Sequence, residues 1–159
     1  MAALTRRDVS RAELIGRLIE REVDPEDAEA EADRLERVGL IDDAAFAERL
    51  VERLRRRKGI AGAALRAELR SRKLADEAIE HALDAVDRDD DRAFAIELAQ
   101  KRARSLGRLE RDVAERRLAA FLMRKGYSGS IVREAVSAVL GRGRDASRSH
   151  GGVRFRSEE

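Results

Sequence analysis

The sequence predicts an all-α protein built from three tandem three-helix repeats in an elongated array, and three observations carry that reading. First, Leu14, Leu65 and Leu118 begin three copies of one element, and five more columns follow in register. These are Leu18, Leu69 and Leu122; Val23, Leu74 and Tyr127; Ala28, Ile79 and Val132; Ala32, Leu83 and Val136; and Leu35, Val86 and Val139, at offsets of 51 and 53 residues. A period of that size marks units too small to bury their own apolar faces, which stack on their neighbours. Second, Ala, Leu, Glu, Asp and Arg dominate, one proline is present, and little material is left for strands. Third, 42% charged and 3% aromatic residues suit a thin helical body better than a thick globular core.

Each helix has its own start and stop signals. Ser10 and Glu13 form a capping box ahead of Leu14, Ile15, Leu18 and Ile19, which predicts a helix from about 10 to 22. Asp24 and Pro25 supply an N-cap and a first helical residue for the next, which ends near Gly39. Asp42 or Asp43 caps a longer helix with Phe46, Leu50, Val51 and Leu54 on its apolar face, stopping at Gly59. Helices at about 62 to 73 and 76 to 87 complete the second copy. Another long helix runs from a cap region at Asp89 to Asp91 through Phe94 and Leu98 to Gly107. The last pair spans about 110 to 125, closed by Gly126, and 129 to 140, closed by Gly141.

The long helices match each other, Asp43, Phe46 and Leu50 against Asp91, Phe94 and Leu98, so each repeat is one long helix followed by two shorter ones. In that phase the repeats cover 1 to 40, 41 to 88 and 89 to 141, and the first lacks most of its leading helix because Met1 to Asp8 is too short to form one. Residues 142 to 159 carry few apolar side chains and read as a disordered basic tail.

The chemistry of catalysis is thin. No cysteine exists, and the two histidines, His81 and His150, have no second His or Cys at ligand spacing. Asp87, Asp89 and Asp91 have the spacing of a calcium loop, but Arg92 stands where its turn glycine is needed and Leu98 where its bidentate glutamate is needed. Gly141-Arg142-Gly143 lacks the third glycine of a phosphate cradle and the strand before it. The expectation is a protein that is not an enzyme and takes no metal or cofactor. No stretch longer than seven residues lacks a charge, so neither a membrane span nor a secretory core is expected, and the setting is the cytoplasm.

Charge is segregated although the net value is only +2. Residues 49 to 73 hold ten Arg and Lys against two acids, while 24 to 36 and 76 to 91 hold seven and eight acids against one arginine each. Arg53, Arg55, Arg56, Arg57 and Lys58 lead into a helix carrying Arg66, Arg70, Arg72 and Lys73, mostly on the face opposite Leu65 and Leu69. Such a ridge would suit phosphates or an acidic protein groove. Lys101, Arg102 and Arg104 occupy the equivalent place in the third repeat, diluted by Glu110, Asp112 and Glu115. In the tail, Arg154-Phe155-Arg156 could stack on a base. Phe46, Phe94, Phe121 and Tyr127 sit at apolar helical positions and are expected in the core.

Four segments, in this order and spacing, resemble the RecX family of regulators of the RecA recombinase. They are Leu4 to Leu14 (LTRRDVSRAEL), Gly39 to Asp43 with Phe46, Lys58-Gly59 leading to Arg66 through Leu69, and Phe121 to Ser128. The resemblance implies a curved, monomeric array of three-helix repeats that lies in the groove of the RecA filament on single-stranded DNA. It further implies restraint of ATP hydrolysis and strand exchange in recombination, DNA repair and the SOS response, with no active site of its own. Where the family places a glycine after the first helix of the repeated pair, this chain keeps Gly126 but has Glu22 and Lys73 in the other copies. If those positions need a left-handed backbone, each substitution costs about 1 kcal/mol. The family's basic-Ser-Arg triplet is replaced by Glu52-Arg53-Leu54. Two other readings stand beside this one, a DNA-binding regulator that reads a duplex with the helix at 62 to 73, and a generic helical scaffold. Gln100 is the only Asn or Gln in the chain, which weakens base readout.

Overall fold

Ser10 opens the first helix as the sequence requires. Its hydroxyl accepts from the Glu13 N–H at 3.1 Å, while the Glu13 carboxylate accepts from the Ser10 N–H at 3.1 Å. The computed structural model describes residues 8–141, and among them are eight helices and no strand. They are α1 (Arg11–Ile19), α2 (Pro25–Arg37), α3 (Asp43–Lys58), α4 (Gly62–Ser71), α5 (Asp76–Asp84), α6 (Arg88–Ala103), α7 (Arg111–Arg124) and α8 (Gly129–Leu140). The tail, with His150 and Arg154-Phe155-Arg156, lies outside the described residues.

Two adjacent aspartates divide the labour at the start of α3. Asp42 caps its own helix by accepting from the Ala45 N–H at 2.9 Å. Asp43 instead accepts from the Arg11 N–H at 2.9 Å, satisfying a first-turn donor of α1 that has no partner within its own helix. The chain ends α3 at Gly59, whose φ of 60° is the left-handed conformation that closes a helix.

Several helices stop before the sequence-based bounds. Beyond Ser71 the N–H groups of Arg72 and Lys73 bond to Leu69 and Arg70, tightening the last turn of α4, and the Ser71 hydroxyl donates to the Glu68 carbonyl at 2.6 Å. Helix α5 tightens likewise, with the Val86 N–H bonded to the Leu83 carbonyl. Helix α6 ends at Ala103, not Gly107, because the Ser105 hydroxyl takes the Arg102 carbonyl and Leu106 turns inward and is buried. At its other end Asp89, Asp90 and Asp91 lie inside the first turn, where negative charge is favourable, instead of preceding it.

The recurrent columns follow from how the first helix of each pair ends. Glu22, Lys73 and Gly126 all have positive φ, 65°, 52° and 96°. After Glu22 and Gly126 the next N–H, from Val23 and Tyr127, returns to the carbonyl of Leu18 and Leu122 at 3.1 and 3.3 Å. That six-residue closure brings Leu18 against Val23 and Leu122 against Tyr127, the apolar pair that accompanies a left-handed helix stop. Two columns of the repeat are thus the two sides of one turn.

The chain divides into two compact units, Met1–Arg88 and Asp89–Glu159. In the first, α1 packs on α2, and α3, α4 and α5 pack on one another around Phe46, Leu50, Leu65, Leu69 and Ile79. In the second, α7 packs on α8, and Leu118, Leu122, Tyr127 and Val132 are buried. The repeats are not equally filled. Leu65, Leu69, Leu118 and Leu122 are buried, but their counterparts Leu14 and Leu18 are only half-buried, and Ile19 is 45% exposed. No residue of α1 is buried, in contrast to α4 and α7.

The aromatic residues separate. Phe46 and Tyr127 are buried as expected, whereas Phe94 and Phe121 are half-buried. Phe121 carries Arg102 and Lys125 over its ring, at 5.5 and 5.7 Å from the centroid. It is a platform for cations at the edge of the core.

Candidate partner interface

The arginines that look like one ridge in the sequence point to different places. Arg72, just past the end of α4, is drawn back across the first unit. Its guanidinium bonds Glu13 of α1 through two contacts, 2.6 and 3.1 Å, and donates to the Asp8 carbonyl at 3.0 Å. It also lies over the Phe46 ring of α3, 4.9 Å from the centroid. Arg53 reaches the Asp8 carboxylate at 2.9 Å, joined by Arg49 at 3.3 Å. These three arginines hold the first repeat onto the second.

The electrostatics agree with that geometry. The Arg53 hydrogen bond is the largest influence on Asp8 and holds its carboxyl below the usual range. Burial pushes Glu13 up, but the Arg72 and Ser10 hydrogen bonds outweigh it and its net shift is downward. Arg11 stands similarly on α2, 2.6 Å from Asp33, 2.7 Å from Glu29 and 3.5 Å from Glu36. The acidic run of the first repeat is therefore partly spent on fixing α1 to α2.

Other members of the ridge have local partners. Arg56 pairs with Glu52 at 2.7 Å, Lys58 with Glu68 at 2.5 Å and Lys101 with Glu97 at 2.6 Å. Arg66 pairs with Glu80 of α5, and Arg70 stands 3.9 Å from Asp76. Arg66 and Arg70 thus face α5 while Arg72, past the end of α4, turns to α1, so Arg72 departs from the face expected for Arg66, Arg70, Arg72 and Lys73. Arg55 is half-buried and Arg102 covers Phe121. Arg57, Lys73 and Arg104 are exposed, and no carboxylate among the described residues lies within ion-pair reach of them. Such side chains can meet an outside anion without first breaking an internal pair.

Sequence reasoning passed over two arginines of the third repeat. Arg116 of α7 and Arg133 of α8 border a groove between these helices and likewise have no carboxylate partner among the described residues. For Arg133 a signal existed, because Gly129, Ser130, Val136 and Ser137 occupy the positions where a helical acid partner would stand.

His81 is exposed and stands 3.5 Å from Glu48. Among the described residues no cluster of three or more His, Asp or Glu side chains could hold a metal ion. No described helix is long and apolar enough to cross a membrane.

Comparison with known proteins bears on what such a surface serves. Residues 42–83 match the second three-helix domain of RecX and residues 89–136 the third. The regulatory protein RecX of Amycolatopsis mediterranei is 40% identical over 117 residues, covering 74% of this chain and 67% of that protein. Its counterpart in Thermobifida fusca is 37% identical over 139 residues, 85% of this chain and 75% of that one. That of Mycobacterium marinum is 38% identical over 146 residues, 91% and 84%. Among solved structures, RecX from Lactobacillus salivarius superposes with a TM-score of 0.79 at 18% identity, covering 86% of this chain and 88% of that one. A second RecX crystal structure gives 0.72 at 22% identity, over 87% and 66%. Both support the all-helical fold.

Proposed function

The chain belongs to the RecX family of regulatory proteins, and from that premise we propose that it binds the RecA recombinase and its filament on single-stranded DNA. It acts there on homologous recombination and DNA repair by occupancy, restraining ATP hydrolysis and strand exchange. It performs no chemistry of its own and works as a monomer in the cytoplasm. Its repeats divide at about residues 40 and 88.

The observation that supports this most is the continuity of the likeness, which runs through both matched three-helix domains and reaches 91% of the chain in one relative. The surface is compatible with an anionic partner. Arg57, Lys73 and Arg104 are exposed cations without internal carboxylate partners among the described residues, and their fields reach about 8 to 10 Å at physiological salt. In this reading they, with Arg55, Arg56, Lys58 and Lys101, meet the partner. Arg53 and Arg72 support the fold instead.

Co-sedimentation tests the binding step. RecA filaments assembled on single-stranded DNA with a slowly hydrolysed nucleotide should carry this chain into the pellet, and DNA alone should carry much less. Equal recovery with DNA alone would favour a DNA-binding regulator, and no recovery with filaments would contradict the proposal.

A further inference from the structure

An open groove of about 770 Å³ runs between α7 and α8. Its accessible apolar lining is aliphatic, from Ala119, Val136 and Ala138 over the buried Val132, and no aromatic ring takes part. Three guanidinium groups stand around it, those of Arg111, Arg116 and Arg133. Only Arg111 is neutralised, by Glu115 at 2.9 Å, while Arg116 spends one N–H on the Asp112 carbonyl at 3.3 Å. The Arg133 guanidinium makes no hydrogen bond or ion pair among the described residues.

We propose that this groove is a docking site for an acidic peptide segment of a partner protein, with carboxylates on Arg116 and Arg133 and an aliphatic side chain against Ala119, Val136 and Ala138. Charge complementarity selects an anion, since two cations at the rim face no internal carboxylate. A guanidinium binds a carboxylate through two parallel N–H bonds, giving orientation as well as attraction. The floor then decides between classes of anion. Single-stranded nucleic acid is held above all by bases stacked on aromatic rings, and this lining offers no ring, so its arginines alone would have to hold phosphates and bases. Aliphatic side chains bury well against Val and Ala. The volume falls within the range of pockets that take small ligands or a few peptide residues. The site goes beyond the filament-binding proposal and is tested without a recombinase.

The experiment measures fluorescence anisotropy of the full chain with a labelled twelve-residue peptide in which pairs of glutamates alternate with single leucines. Binding should weaken about tenfold or more for the glutamine counterpart of the peptide and for the Arg116→Ala/Arg133→Ala chain, whose helical circular dichroism should be unchanged. A charge swap guards against an indirect effect. The Arg116→Glu/Arg133→Glu chain should lose the glutamate peptide and gain the lysine counterpart. A twenty-nucleotide oligothymidylate should bind equally to the parent and double-alanine chains.

Failure of the glutamate peptide to bind would overturn the proposal, as would binding unaffected by Arg116 and Arg133. Loss of oligothymidylate binding in the double-alanine chain would reassign the groove to nucleic acid. Loss of a concentration-dependent dimer in the same chain would reassign it to a second copy. Both reassignments contradict a peptide site.

Discussion

Arg72 and Glu13 lie 59 residues apart in the chain and meet through two hydrogen bonds at 2.6 and 3.1 Å. Glu13 at the same time completes the capping box of α1, so one carboxylate both starts the first helix and fastens it to the second repeat. The Glu13 side chain is only 15% exposed, so removing Arg72 leaves its carboxylate poorly hydrated and without its charge partner. Arg72→Ala should therefore destabilise the chain by about 2 kcal/mol in urea unfolding, including the lost contact with Phe46. Glu13→Ala should cost about as much, and the double variant less than the sum. Full additivity would show that the pair is not coupled.

The same contacts set a pH window. Asp8 and Glu13 have carboxyl groups lowered in the folded chain, Asp8 chiefly by Arg53, and Glu13 by Arg72 against the opposing effect of burial. A lowered folded value means that stability is complete above the unfolded carboxylate range, near 4, and is lost as pH falls through the folded values. Acid titration should thus destabilise the parent chain more steeply below about pH 4 than the Asp8→Asn/Glu13→Gln chain. Identical acid slopes would contradict this assignment.

Two residues hold a backbone conformation that glycine adopts with less strain. Glu22 and Lys73 have φ of 65° and 52°, equivalent to Gly126 at 96° in the third copy. Glu22→Gly and Lys73→Gly should each stabilise by about 1 kcal/mol, the gain from relieved left-handed strain exceeding the entropic cost of glycine. Thermal unfolding checks it, with Gly126→Ala expected to destabilise by a similar amount.

One column of the repeat predicts unequal costs for the same substitution. Leu69 and Leu122 are fully buried, whereas Leu18 is half-buried on a helix that has no buried residue. Leu69→Ala and Leu122→Ala should each cost about 3 kcal/mol, and Leu18→Ala about 1 kcal/mol, in chemical denaturation.

These elements also show what a linear sequence can disclose. Ser10, Asp24, Asp42 and Gly59 act through bonds to residues no more than four positions away, so helix starts and stops are legible one by one. The apolar columns are legible because they are written three times. The pairing of Arg56 with Glu52, or Lys101 with Glu97, follows from helical spacing. Arg72 with Glu13 and Arg53 with Asp8 do not, because tertiary packing brings them together across 59 and 45 residues. A ridge counted from sequence therefore mixes side chains that hold the fold with side chains that face outward. The groove at Arg116 and Arg133 stayed hidden for the same reason, since its two walls are separate helices.

The division between structural and outward-facing cations makes a further prediction. Replacing Arg55, Arg56, Arg57 and Lys58 together with Glu should preserve helical circular dichroism, because the pairs of Arg56 and Lys58 are surface pairs worth about 1 kcal/mol or less each. It should abolish inhibition of the RecA filament. Retained inhibition would place the contact elsewhere on the chain.

In the function proposed above, this chain restrains the RecA filament by binding it. It is tested most directly by titrating the purified chain into RecA on single-stranded DNA and following the rate of ATP hydrolysis. The rate should fall and level off as the chain fills the filament, with the chain itself hydrolysing no ATP. An unchanged rate at stoichiometric excess would contradict it.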